Sequence, residues 1–339
     1  YKRQPQELHN GTRTVTQTIT AYNSYKGYKT LGCWKEPQGN QRAQYAASKE
    51  KSDEYSRMIQ GSACTETDAW TFYFAIYLTS VGYPLPTCHF SEKELGQIQM
   101  KAVNTLISKC GFCNKTHRAI VYGTPKYGGM GFRHLYTEQS IGQVQLFLKH
   151  WRTPGQPGTL LRVAGAWSQM AAGTERSIFS DTTTPLPHYE SKFLASISLF
   201  LGTVDARFTS DNAYIPPRQR EHDVYIMDAV LADPTLSAAS VCRINYCRLF
   251  LQGVVTLSDI TDVTGTKLDP AMQQGQHSHS SSRNTLHDFR QDSPDPIAWG
   301  LWRKVCRKWA TPTGELLEPL GRWLHPPHKL RRSWAAYYD

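Results

Sequence analysis

The 339-residue sequence has no apolar run long enough to span a bilayer. The longest, Ala69 to Val81, is short and broken by Thr71, Thr79 and Ser80, which predicts a buried helix and no membrane partner. A dense disulfide framework is also missing. The eight cysteines, Cys33, Cys64, Cys88, Cys110, Cys113, Cys242, Cys247 and Cys306, are scattered through a large chain, as expected of free thiols in a reducing compartment. Nothing resembles a leader peptide. The chain opens basic and polar on Tyr1 instead of Met, which reads as an internal fragment. Acid is in short supply: 28 Asp and Glu face 38 Lys and Arg, and the net charge of +10 favours a polyanionic partner. Aromatics, at 12%, exclude wholesale disorder, and 38.4 kDa leaves room for two or three compact units.

The residues predict a mainly α chain with a short N-terminal β-hairpin. Alternating Val15, Ile19 and Ala21 against threonines predicts a strand over Arg13–Tyr22, paired across an Asn23-Ser24-Gly27 turn with a second strand over Tyr28–Trp34. Pro37-Gln38-Gly39-Asn40 breaks the pattern, and Gln41–Gln60 reads as a polar, mostly solvated helix. Thr65 with Asp68, and Ser91 with Glu94, have capping-box spacing. The first opens an aromatic helix through Trp70, Phe72, Tyr73, Phe74 and Tyr77, read as core. The second opens a helix whose apolar face is Leu95, Ile98, Ala102 and Leu106, leaving Gln97, Gln99, Lys101 and Lys109 off that face.

A turn rich in glycine and proline, Thr124 to Gly131, then delivers a long helix. Ile141, Val144, Leu148 and Trp151 predict its apolar face, with Gln143, Gln145, Lys149 and Arg152 directed elsewhere. Further helices are expected over Thr159–Met170, Glu190–Val204, Pro216–Leu231 and Cys242–Leu249. Thr182 to Pro187 and Gln273 to Arg283 read as linker and low-complexity segments. Near the C-terminus, Arg303, Lys304, Arg307 and Lys308 share one helix face opposite Trp302, Val305, Cys306 and Trp309, and Arg322 to Trp334 again interleaves basic residues with tryptophan. Such interleaving suits phosphate contact with base stacking, and equally suits tryptophans anchoring a small subdomain beneath arginine stems.

Candidate chemical sites are sparse. Cys110-x-x-Cys113-x-x-x-His117 has the spacing of half a zinc knuckle, with Cys88-His89 the nearest source of another ligand, so a zinc-dependent enzyme is one reading; two cysteines near a helix end is the other. Asp259, Asp262 and Asp269 lie in a polar loop with nothing convergent to make them Mg²⁺ ligands. His222 and Asp223 diverge if helical, so they do not form a dyad, and His277 and His279 do not make a site. No metal ligand and no catalytic residue is assigned.

The turn Gly128-Gly129-Met130-Gly131 with the following His134-Leu135-Tyr136-Thr137-Glu138-Gln139 resembles the glycine turn and thumb helix of reverse transcriptases from LINE-type (non-LTR) retrotransposons. Tyr28 to Asn40 is similar to the strand after the palm that forms the primer grip. Gly82 to Pro86 resembles a loop of the same family, and the stretches from Gln219, Ile244, Leu268 and Gly321 its connecting region, so the likeness extends over nearly the whole chain. It implies a primer-grip hairpin over 1–40, a helical thumb over 41–180, a connecting region over 188–270, a linker over 271–296 and a basic, Trp-rich segment over 297–339. An upstream palm and a downstream RNase H-like domain are expected in the parent, with intracellular placement in cytoplasm and nucleus.

The partner implied is an RNA or DNA template-primer, held through its backbone. The expected contacts are Lys29, Gly32, Trp34 and Lys35 in the grip; Lys101, Lys109, Arg118, Lys126, Gly128, Gly129, Arg133, Lys149 and Arg152 in the thumb; and Arg303, Lys304, Arg307 and Lys308 beyond it. Polymerisation needs paired palm carboxylates for two Mg²⁺ ions. This chain has no adjacent Asp-Asp, so no cofactor is expected here, and Mg²⁺ belongs to the parent polymerase. A degenerate or domesticated remnant acting as a helical interaction module is the alternative.

Overall fold

The computed structural model describes residues 25–180, 191–209, 217–251, 254–275 and 293–324, together with the backbone of 6–10 and 13–17. The chain is mainly helical and divides into two units, Tyr1–Gln145 and Leu146–Asp339.

The first unit opens with two antiparallel pairs instead of one. Strand β1 (Gln6–Asn10) pairs with β2 (Arg13–Gln17), and β3 (Tyr28–Thr30) with β4 (Cys33–Lys35). The expected pairing of Arg13–Tyr22 with Tyr28–Trp34 is thus replaced by two more local ones. Leu31 and Gly32 both have positive φ, 49° and 84°, and reverse the chain inside the segment read as a single strand. Two-residue turns of this kind match strand twist and close the shortest loop.

Helix α1 (Arg42–Gly61) packs along α4 (Glu92–Lys109). The contact is polar on the α1 side: Gln44, Ser48, Ser52 and Ser56 are buried, with Ser52 bonded to the Ile98 carbonyl at 2.7 Å and Ser56 to Thr105 at 3.0 Å. Small hydroxyls allow close approach while satisfying each other. Between these helices run α2 (Glu66–Thr71), a π-helical segment (Phe72–Tyr77) and α3 (Leu78–Gly82). Both expected capping boxes are formed, at Thr65/Asp68 and Ser91/Glu94. Tyr73 and Tyr77 are buried, and Leu95, Ile98, Ala102 and Leu106 line the same core.

Short α5 (Arg118–Tyr122) leads through the glycine turn into α6 (Leu135–Arg152). The face of α6 differs from expectation: Ile141 is exposed, while Leu135, Gln139, Ser140, Gln143 and Phe147 are buried. Gln139 donates to the Phe90 carbonyl at 2.9 Å and accepts from its N–H at 3.2 Å, and Gln143 bonds to the Cys88 carbonyl. These amides satisfy loop backbone that packing would otherwise leave unpaired.

The second unit holds α7 (Gln156–Ala172), α8 (Lys192–Thr203), α9 (Ile226–Leu231), α10 (Ala238–Phe250), α11 (Pro270–Gln274) and α12 (Pro296–Cys306). Its core joins α9, α10, α11 and α12 around fully buried Trp302, whose indole donates to the Met272 carbonyl at 3.0 Å. Residues 217–225, expected as a helix, are non-helical, with isolated bridges at Arg220 and Tyr225 and a turn at Glu221 and His222; α9 begins only at Ile226. Arg220 is the reason. Its buried guanidinium donates to the Thr264 (3.0 Å) and Val263 carbonyls and lies 4.0 Å from the Trp323 ring centroid, which a helical register would forbid.

Candidate nucleic-acid interface

The β3–β4 hairpin sorts the expected grip residues onto two faces. Lys29 lies directly opposite Trp34 in the register, and both are exposed on the outward face. Side chains directly across a pair approach to about 4.5–5.5 Å at Cβ, so a cation and an indole stand side by side. Cys33 and Lys35 alternate to the other face. Cys33 is buried, and the Lys35 ammonium donates to the carbonyl (3.0 Å) and hydroxyl (2.8 Å) of Thr87. Lys35 therefore fastens the hairpin to the loop after α3.

Two further contacts fix the hairpin. The Gln44 side chain accepts from the Trp34 N–H at 2.7 Å, and the Tyr83 hydroxyl donates to the Leu31 carbonyl at 3.1 Å. Gly32 is pressed to the Tyr83 ring, which a Cβ would meet at 3.3 Å. Glycine here serves close packing to protein as well as the φ of the turn. Glu36, the nearest acid, turns its carboxylate to the Ala43 N–H at 3.2 Å. Lys26, which the sequence reading passed over, is exposed beside the strand. The signal that could have found it is that no acid occurs between Tyr25 and Lys35.

The glycine turn folds back on α5. Met130 and Phe132 donate to the Ile120 (2.8 Å) and Val121 (3.0 Å) carbonyls, and Gly131 to Gly123 at 2.7 Å. Gly128, at φ 82°, and Lys126 are exposed at its outer edge, with the Lys126 ammonium 5.5 Å from the exposed Tyr127 ring centroid. Gly129 is partly covered, and its close neighbour is the Gly123 backbone. Arg133 is exposed, 3.5 Å from Glu138 and 5.9 Å over the Phe74 ring. Its peptide is held by buried groups: Tyr73 accepts from its N–H at 3.2 Å, and Tyr73 and Gln99 donate to its carbonyl at 2.6 and 2.7 Å. Gln99, read as surface, is buried for this purpose.

The remaining cations of this unit are mostly engaged by the fold. Lys109 donates to the Ser62 carbonyl at 2.7 Å, capping the end of α1, and Lys101 lies 3.9 Å from Asp53. Arg118 bonds to Asn104, with its second terminal nitrogen buried and without a hydrogen-bond partner among the described residues. In the second unit Lys149, Arg152, Lys304 and Arg307 are exposed, Arg303 is half-buried, and Lys308 is paired with Asp233, whose carboxyl it holds well below the usual range. Trp302, Val305 and Cys306 are buried, while Lys304, Arg307 and Lys308 are exposed. Arg307 and Lys308 follow the last helical residue.

The candidate chemical clusters are not assembled. Cys110 is buried, its thiol pushed up to about 11 by that burial and by Glu66 and Cys64. Cys113 is exposed, and His117 caps α5 by accepting from the Ala119 N–H at 3.2 Å. Asp259, Asp262 and Asp269 each accept from their own loop backbone: Asp259 from Val255 and Thr256, Asp262 from Thr266 and Lys267, and Asp269 from Ala271. Among the described residues, no group of three His, Cys, Asp or Glu is placed to hold a metal ion, and no helix is long and apolar enough to cross a membrane. Residues His277, His279 and Lys329 to Trp334 lie outside the described residues. No protein-family model, curated protein or solved structure matches this sequence.

Proposed function

We propose that the chain binds an RNA or DNA template-primer duplex through its backbone, as the C-terminal part of a LINE-type retrotransposon reverse transcriptase, and performs no chemistry of its own. The observation that carries this reading is the exposed cross-strand pair of Lys29 and Trp34, on a hairpin held from behind by Lys35, Gln44 and Tyr83. A fixed cation next to an indole offers a phosphate contact and a stacking surface together. The exposed Lys126, Gly128 and Arg133 of the glycine turn, and Lys304 and Arg307 after Trp302, supply further cationic surface. In the parent enzyme, Mg²⁺ and the polymerase carboxylates belong to the palm, and the complex acts in cytoplasm and nucleus.

The test is binding of a primer-template duplex by the full chain at low and high salt. Each neutralised phosphate adds about 0.7–0.9 to the slope of log affinity against log salt. Lys29→Ala is expected to reduce that slope by about one such step, and Lys109→Ala to leave it unchanged. Absent or salt-independent binding overturns the proposal. It would favour a helical protein-interaction module, a reading supported by the fold's own use of Lys35, Lys109 and Arg118.

A further inference from the structure

Helices α1 and α4 run parallel, so their C-terminal ends lie together. The Tyr45 hydroxyl donates to Gln97, Ser52 to the Ile98 carbonyl, Ser56 bonds to Thr105, and the Lys109 ammonium donates to the Ser62 carbonyl at 2.7 Å. Each step forward along one helix is matched by a step forward along the other. Just beyond the last of these bonds stand Cys64, in the connection to α2, and Cys110, the cap of α4. Cys110 is buried in the core of this unit, and half-buried Cys64 packs against the same core. Cys64 is also among the groups whose charge raises the Cys110 pKa, so the two sulfurs are electrostatic neighbours.

The Cys110-x-x-Cys113 spacing offers Cys110 another partner, and the fold turns that one away. Cys113 is exposed; its sulfur accepts from the Lys115 N–H at 3.4 Å and lies 3.8 Å from the Asn114 side chain. Nor does Cys110 occupy the place that activates a thiol. A helix N-terminus stabilises thiolate, whereas Cys110 ends its helix, and burial pushes it up to about 11.

We propose that Cys64 and Cys110 are a redox pair, joined reversibly by a disulfide that ties the end of α1 to the end of α4 when a low-molecular-weight disulfide is in excess. The Cys64 sulfur, which solvent reaches, attacks the S–S bond of that oxidant as thiolate. The bond breaks, one half leaves as a thiolate, and a mixed disulfide remains on Cys64. Cys110 then gives its proton to solvent, and its sulfur attacks the Cys64 sulfur and releases the second half. Two protein thiols are oxidised, and one small disulfide is reduced to two thiols. The new bond closes a loop of about 45 residues in the unfolded chain and so stabilises the fold.

The experiment incubates the full reduced chain with oxidised glutathione, blocks the remaining thiols by alkylation before unfolding, and maps the non-reduced peptides. The expected product is a peptide pair joined through Cys64 and Cys110, separated again by dithiothreitol, with a melting temperature several degrees above that of the reduced chain. Cys113→Ser should keep the joined pair. Cys64→Ser should remove it together with the rise in melting temperature, and Cys110→Ala, which keeps the buried site apolar, is the second variant should serine disturb the fold. In urea the same incubation should give mixed pairings.

Cys110 joined to Cys113, glutathione retained on Cys64 beside a free Cys110, or both thiols left unmodified overturns the pair. So does a joined pair that forms equally well in urea, or one that fails to raise the melting temperature.

Discussion

Arg248 fills the space that a side chain on Gly173 would need: a Cβ there would lie 2.5 Å from the guanidinium carbon. Gly173 ends α7 at φ 68°, and fully buried Arg248 donates to the Met170 carbonyl at 3.0 Å, to Ala171, to Val254 at 2.8 Å and to the Asn245 side chain at 2.8 Å. One cation thus satisfies the last carbonyls of α7, where the helix dipole also favours it. Gly173→Ala combines left-handed strain with a clash against a rigid planar group and is expected to cost more than about 2 kcal/mol. Arg248→Met removes the donors and orphans the carbonyls, at about 3 kcal/mol or more. Denaturant midpoints of the two variants check both, and a Gly173→Ala midpoint equal to wild type would show that the contact is loose.

Alkaline pH should unfold the chain through its thiols. Burial pushes Cys88, Cys247 and Cys306 up to about 12 and Cys110 to about 11, from an ordinary value near 9. A group whose folded pKa is raised contributes stability that is fully present below its unfolded value and lost as pH rises toward its folded value. The window is therefore pH 9 to 12, with a limiting slope of roughly 1.4 kcal/mol per pH unit for each thiol. Arg248, which burial lowers to about 9, and Arg220, also lowered by burial, work in the opposite direction, against four thiols and the buried Tyr73, Tyr77 and Tyr225, which burial raises. Urea midpoints under reducing conditions should hold steady to about pH 8.5 and then fall. A midpoint that rises across pH 9 to 11 would contradict this.

Adjacent glycines in the turn should respond differently to alanine. At Gly128 a Cβ meets nothing within 4 Å, so only the φ of 82° is penalised, at about 1 kcal/mol. At Gly129 a Cβ would lie 2.2 Å from the Gly123 carbonyl oxygen, and neither backbone can yield without losing the bonds of Gly129 to Thr124 and of Gly131 to Gly123. Gly129→Ala should lower the melting temperature well below Gly128→Ala. Equal melting temperatures would mean that the turn rearranges freely.

What could be read in advance was local. A capping box is written within four residues, so Thr65/Asp68 and Ser91/Glu94 were legible, as were the buried faces of α4 and α12. Apolar periodicity failed wherever the buried surface is polar. Ser48, Ser52 and Ser56 on α1, and Gln139 and Gln143 on α6, look solvated in sequence, yet Ser52, Ser56, Gln139 and Gln143 satisfy partners 46 to 55 residues away. The charged stretch at Arg218 to Asp223 misled for the same reason, because Arg220 is anchored by distant carbonyls. In the β3–β4 hairpin, Lys29 and Trp34 were recognisable as strand residues. Their pairing depends on a reversal at Leu31-Gly32 that no Asn-Gly signal announces.

Tyr73 and Gln99 set the position of an exposed arginine from inside the core, which allows a test that separates folding from binding. Tyr73→Phe deletes the hydroxyl that accepts from the Arg133 N–H and donates to its carbonyl. The carbonyl keeps its bond from Gln99, and the N–H loses its partner, a cost of about 1–3 kcal/mol. Gln99→Met orphans the Leu135 N–H, whose bond the Gln99 side chain accepts at 3.0 Å. The two substitutions share the Arg133 carbonyl, so the double mutant should depart from additivity by about 0.5 kcal/mol or more. If Arg133 also contacts a phosphate, Arg133→Lys should leave the melting temperature near wild type and keep the salt slope. Arg133→Ala should lower the slope by about one phosphate's worth. A slope unchanged by Arg133→Ala in a folded protein would confine Arg133 to its pairing with Glu138 and its place over Phe74.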